Sequence, residues 1–262
     1  MLNNVFLGSL DIKDRLDHVP LVKDFKTAET RLRNVNLWQF VYEIGHESKM
    51  EFLPPALHPT NPPVVFLQNY EVEDSEWGPF RMLHARVGSR AGVRLRGFMM
   101  GCLIDNPKAA EALAARWGFP CEIAEIQSKS FYYDSLPVTA LVNGKLVFDA
   151  RLMAPQPIAA ETIFYSANSH LVRTPQGPQL IQVDLEYEFH KADRGKPKIA
   201  YLDSKTFFGR DGVRLTWPVS ASFSRTDVVI SGIRYVSDPD RPAVQGTRNV
   251  AGEAVAANQD AL

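Results

Sequence analysis

The sequence predicts an α+β protein that is mostly β: an antiparallel sheet closing on itself like a barrel, with one short helix packed outside. Three observations predict it. Short runs of β-branched and aromatic residues recur along the chain, separated by Gly, Pro and Asn turns. One segment alone carries a full set of helix signals. Asn106 is its N-cap and Pro107 its first residue, KAAEALAARW is Ala-rich, Gly118 stops it, and Pro120 follows. Many strands with so few helices bury their apolar face by curling one sheet round on itself.

Residues 1–34 read as a polar N-terminal arm with one short helix over Lys23 to Arg33. Trp38 to Tyr42 is aromatic and β-branched, hence a strand. Leu53 to Pro63 is dense in proline and excludes regular structure. Val64 to Tyr70 is a strand, and Trp77 to Phe80 a turn. Arg81–Val87 and Val93–Ile104 are strands joined by a Gly/Ser/Arg turn. Beyond the helix, Val138–Val142 and Lys145–Ala150 flank Asn143-Gly144, a strong hairpin signal. Gln179–Phe189, Val213–Trp217 and Asp227–Tyr235 add strands. Residues 35–236 thus form the β domain, and 237–262 a flexible Pro/Asp/Ala/Gln-rich tail.

The chain has 262 residues, 45% hydrophobic and 23% charged, enough for a sizeable core. A net charge of −1 gives no electrostatic footprint for nucleic acid or a membrane surface. The N-terminus lacks a signal-peptide pattern, and no apolar run approaches the ~20 residues of a membrane span, so cytoplasmic residence is expected. Cys102 and Cys121 are too few for a disulfide framework, although a bridge between a strand end and a helix end is geometrically possible. There is no HxxxH or CxxC, so no metal and no other cofactor is expected.

Three motifs give the chain a family resemblance. They are Leu53-Pro-Pro-Ala-Leu57 with Pro62-Pro-Val-Val65, Gly78-Pro-Phe80, and Leu103 to Glu122 (LIDNPKAAEALAARWGFPCE). Together they resemble the acetoacetate decarboxylase-like superfamily over roughly residues 35 to 235. The resemblance implies a cone-like β-barrel, a homo-oligomer and a small-molecule substrate. It also implies a lysine amine, kept neutral by desolvation and a second lysine, that attacks a β-keto carbonyl. Carried over position by position, the reactive lysine falls on Cys121 and its neighbour on Glu122. The glutamate after the turn falls on Met82, and the arginine falls near Val35, two residues from Arg33. The resemblance therefore implies the fold and pocket of a decarboxylase without its imine chemistry.

Several residues are candidates for replacing that chemistry. Cys121 is either a nucleophile or a small buried apolar group. Glu122 in an apolar pocket would carry a proton next to a carbonyl; alternatively it faces solvent or pairs with Arg116. Met82, His84 and Arg86 alternate on one face of a strand and supply a base and an anion clamp if that face turns inward. If the other face does, Arg81, Leu83 and Ala85 line the pocket. Arg94 and Arg96 share a face, either clamping a carboxylate or solvated. Phe119 and Tyr132 are candidates to shape the substrate site, and Lys129 for a relocated amine.

Three functions follow. The first is a lyase- or isomerase-type enzyme on a small enolisable carbonyl or keto-acid-like compound, working by acid/base chemistry through Glu122, His84 and Cys121. The second is a non-catalytic small-molecule binder of the same fold. The third is a decarboxylase with a relocated lysine.

Overall fold

The computed structural model describes residues 7–45, 49–91, 94–130 and 134–251. A 3-10 turn (Ile12–His18) precedes β1 (Thr30–Ile44), β2 (His58–Pro59), β3 (Val64–Asp74), β4 (Phe80–Ala91) and β5 (Arg94–Ile104). Then come α1 (Pro107–Trp117), β6 (Cys121–Ile123), β7 (Glu125–Ser128), β8 (Ser135–Val142), β9 (Lys145–Pro157) and β10 (Ala167–Thr174). The chain ends with β11 (Gly177–Leu202), α2 (Ser204–Phe208), β12 (Leu215–Ser237), α3 (Ala243–Gly246) and β13 (Arg248–Asn249). Among the described residues, no helix is long and apolar enough to cross a membrane.

The strands form one sheet in the order β13-β12-β1-β3-β4-β5-β10-β11-β9-β8-β7, with β2 and β6 on its flanks. β12 also pairs with β11, which closes β12, β1, β3, β4, β5, β10 and β11 into a ring. Closure needs long strands, and β11 and β12 have 26 and 23 residues. The first part of β11 pairs with β10, its middle with β12 and its end with β9.

β1, β3, β4 and β5 are packed on both faces, to which successive side chains point alternately. Leu83, Ala85 and Val87 of β4 pack with Trp38 and Phe40 of β1 and with the β8–β9 hairpin. Phe80 and Met82 pack instead with Tyr70, Val72, Val228 and Ile230. Tyr70 on β3 and Tyr187 on β11 bond to each other at 3.1 Å, although those strands are not neighbours. That contact spans the ring, so the second face is the inner one.

α1 forms as its sequence dictates. Asn106 Oδ1 accepts from the amides of Lys108 and Ala109, while its own amide donates to the Trp77 and Pro79 carbonyls of the β3–β4 turn. Ala109, Leu113 and Trp117 are buried in the inner-face cluster, so the helix covers the ring's end beside that turn.

Two expectations are corrected. The proline-dense Leu53 to Pro63 is not wholly irregular, since β2 within it pairs with Ser89 and Arg90 of β4. Lys23 to Arg33 is not a helix: the segment is irregular to Glu29, and β1 starts at Thr30. Thr30 and Leu32 are buried while Arg31 and Arg33 are exposed, a period of two that pairing with β12 enforces. Asn34, at φ 52°, makes a bulge that restores the phase at Val35. The Asn143-Gly144 hairpin forms as read, with both residues at positive φ. Beyond Ser237, α3 and β13 return to the sheet, β13 pairing with β12.

Gly118 ends α1 at φ 68°, and a Cβ there would come within 2.2 Å of Val172 Cγ1; Gly144 has φ 74° with open space around it. Gly118→Ala is expected to cost about 2–5 kcal/mol, combining left-handed strain with overpacking, and Gly144→Ala about 1–2 kcal/mol. Urea unfolding of both variants checks this; equal losses would show that the Val172 contact does not matter.

Candidate functional site

The sheet register builds the site. Cys121 of β6 lies opposite Cys102 of β5, Cys102 opposite His84 of β4, His84 opposite Gln68 of β3, and Gln68 opposite Gln39 of β1. This row crosses five strands on one face. Arg86 follows two residues after His84 on the same face, as the alternation requires.

Arg86 is fully buried. Its Nη1 donates to the Ser166 carbonyl (2.7 Å) and to Asn168 Oδ1, and its Nη2 to Gln68 Oε1 (2.7 Å). The guanidinium also lies 5.5 Å from the centre of the Phe66 ring. Gly97 leaves room for its stem; a Cβ there would come within 2.9 Å of Arg86 Cδ. Every one of these acceptors is neutral, and among the described residues no carboxylate pairs with Arg86. Burial accordingly pushes the guanidinium below its usual range, opposed by the Tyr70 and Tyr187 phenols. The Nε of Arg86, the Nδ2 of Asn168 and the Oγ of Ser166 have no partner.

Two buried histidines flank this guanidinium. His84 is fully buried, packs 5.4 Å from the Tyr70 ring, and has no partner at either ring nitrogen. Burial, then Arg86 and His170, push its pKa well below the usual range. His170, two residues after Asn168 on β10, places Nδ1 2.7 Å from the Trp117 carbonyl and stacks edge-on with Phe119 at 4.4 Å. A carbonyl only accepts, so Nδ1 carries the proton and Nε2 presents a bare lone pair. Nε2 has no partner. Burial lowers the pKa of His170 to about 4 despite the Trp117 carbonyl.

A cleft of about 930 Å³ opens beside this cluster. β5 and β10 pair only through Arg96–Phe98 and Ala167–Ser169, then separate. Cys102, Cys121, Glu122, His170 and Arg15 line the opening. Arg15 donates to the carbonyls of Met100 (3.2 Å) and Phe208 (2.8 Å), tying the N-terminal turn to β5 and α2.

The residues singled out from sequence therefore fall in different places. Met82, His84 and Arg86 do share the inward face. Phe119 is buried against His170, and Cys121 is half-buried in the cleft wall. Glu122 is exposed at the cleft rim, without the apolar surroundings supposed for it; Arg116 pairs with Glu76 (2.7 Å) instead. Arg94 opens β5, and Arg96 is not solvated but buried, donating to Gln182 Oε1 (2.9 Å). Lys129 is exposed rather than enclosed in a pocket. Tyr132 lies outside the described residues. His170 was missed; its alternation with Asn168 in Ala167–Thr174 was the available signal. Among the described residues, no group of three or more His, Cys, Asp or Glu is placed to hold a metal.

Both histidines are neutral when folded, whereas an unfolded chain protonates them below about pH 6.5. Protons therefore favour the unfolded state through that window. Their contribution to stability is expected to be flat above about pH 7 and to fall by roughly 1.4 kcal/mol per pH unit for each histidine as pH drops from 6.5 towards 4. Urea unfolding across that range checks it. His170→Gln should lessen the slope; an unchanged slope would show that His170 titrates normally.

No family model and no curated protein matches the sequence. Solved structures do match. An acetoacetate decarboxylase from Legionella pneumophila is 19% identical with a TM-score of 0.66, covering 89% of this chain and 97% of that one. Another acetoacetate decarboxylase is 15% identical with a TM-score of 0.69, covering 79% and 88%. The enduracididine biosynthesis enzyme MppR, complexed with pyruvate, is 13% identical with a TM-score of 0.65, covering 79% and 90%. The fold expected from the three sequence motifs is thus the fold found: this chain has the acetoacetate decarboxylase-like architecture.

Proposed function

We propose that this protein is an enzyme acting on a small anionic carbonyl compound of the keto-acid type, by proton transfer and without an imine. One observation carries the reading. A fully buried guanidinium has only neutral acceptors, and buried polar atoms without partners surround it. A buried cation without an anion is costly, and orphaned buried polar groups are rare unless a ligand or water completes them.

The roles follow from donor and acceptor chemistry. Arg86 Nε and Asn168 Nδ2 are donors suited to the carboxylate, or to the enolate that forms when an α-proton leaves. His170 Nε2, neutral and unpartnered, is the base that takes this proton, with Nδ1 held by the Trp117 carbonyl so that the lone pair on Nε2 stays unprotonated. His84 is a second neutral imidazole on the same face. Proton loss at the α-carbon is shared by isomerisation and dehydration; loss of carbon dioxide from a 3-oxo acid instead gives an enolate without the carboxylate, which the same donors would hold and which must then take up a proton. MppR, of the same fold, has been seen with pyruvate and with a condensation product of pyruvate, which supports the substrate class.

A non-catalytic binder of the same ligands is the second reading, favoured by the exposure of Glu122, which leaves the cleft rim without an enclosed carboxyl acid. Incubation with 2-oxo and 3-oxo carboxylates in deuterated water distinguishes the two. The enzyme reading expects a raised melting temperature and exchange of the α-protons. His170→Gln should lower exchange about 10²- to 10⁴-fold with the melting shift retained. Arg86→Gln should lose the shift, with circular dichroism confirming that the variant folds. A shift without exchange favours the binder. No shift with any acid, or an adduct trapped by borohydride at Lys129, overturns the proposal.

A further inference from the structure

Cys121 and Cys102 are the two cysteines of the chain, and the fold brings them together. They face each other on the parallel pair β5–β6, with Sγ atoms 3.6 Å apart and no bond between them. Facing residues on neighbouring strands lie about 4.8 Å apart, within the 4.4–6.8 Å that a disulfide spans between Cα atoms. Their surroundings differ: Cys121 is partly exposed in the wall of the cleft, and Cys102 is buried behind it. The arrangement is that of an accessible thiol backed by a sheltered one.

We propose that Cys121 and Cys102 form a modification site for hydroperoxides, closing to an intramolecular disulfide in the cleft wall. The Cys121 thiolate attacks the peroxide; an S–O bond forms, the O–O bond breaks, and the leaving oxygen departs as alcohol or water with the proton of the thiol. Cys102 Sγ then attacks the sulfenic sulfur. The S–S bond forms, the S–O bond breaks, and hydroxide leaves as water with the Cys102 proton. Two thiols lose two electrons, and one hydroperoxide gains them. Burial and the neighbouring Cys121 sulfur hold Cys102 protonated, which leaves Cys121 as the first sulfur to react. Because Cys102 stands opposite His84, the bridge ties β5 to β6 at the edge of the inner polar row. This inference does not rest on the proposed reaction.

The test uses the full chain, treated with an equivalent of hydrogen peroxide, quenched, unfolded, and labelled with N-ethylmaleimide for intact mass. The expected product is lighter by two hydrogen atoms, takes no label, stays monomeric on a non-reducing gel, and takes two labels after dithiothreitol. Cys102→Ser is expected to stop at a sulfenic acid on Cys121 that dimedone traps. Two labelled thiols after peroxide, stepwise oxygen addition in the wild type, or covalent dimers would overturn the proposal. The wild-type result stands even if a variant misfolds.

Discussion

Closure of the sheet is the constraint on which the rest depends. β12 hydrogen-bonds to β1 along one side and to β11 along the other, and that double pairing turns an open sheet into a ring with an inside. Without it, the alternate residues of β3 and β4 would face solvent. With it, Gln68, Tyr70, His84 and Arg86 are enclosed together, and a tyrosine from β3 reaches a tyrosine from β11.

Enclosure sets the electrostatics. Removing a guanidinium from water costs several kcal/mol unless something replaces the water. Here neutral oxygens from Ser166, Asn168 and Gln68 and the face of Phe66 do so in part. The same loss of water, reinforced by Arg86, keeps His84 and His170 neutral. It also pushes the Tyr70 and Tyr187 phenols upward, so they remain hydrogen-bond donors. A set of neutral bases and donors around one cation is the feature that supports the proposed anion binding and proton transfer.

The fork between β5 and β10 gives this interior an edge. The two strands part after a short parallel ladder, and the cleft there is lined by the half-buried Cys121, with Cys102 and His170 buried in its wall. The acetoacetate decarboxylase-like fold is thus paired with a wall of imidazole and sulfur, where the motif resemblance implies an amine.

Local chemistry was legible in the sequence. Asn106 and Gly118 bound α1, Asn143-Gly144 makes the hairpin, and period-two runs mark the strands, because caps, turns and alternation involve near neighbours only. Three proline-flanked and turn motifs sufficed for the architecture. Alternation placed Met82, His84 and Arg86 on one face, but a strand does not state which face a closed ring will enclose. That needed the β11–β12 pairing. Long-range pairing likewise decided that Lys23–Arg33 is no helix, that Glu122 faces outward, that Cys121 meets Cys102, and that His170 joins Arg86 and His84. Sequence determines what each segment can form; only the closed sheet determines which side chains lose water together, and hence which of them hold charge or proton.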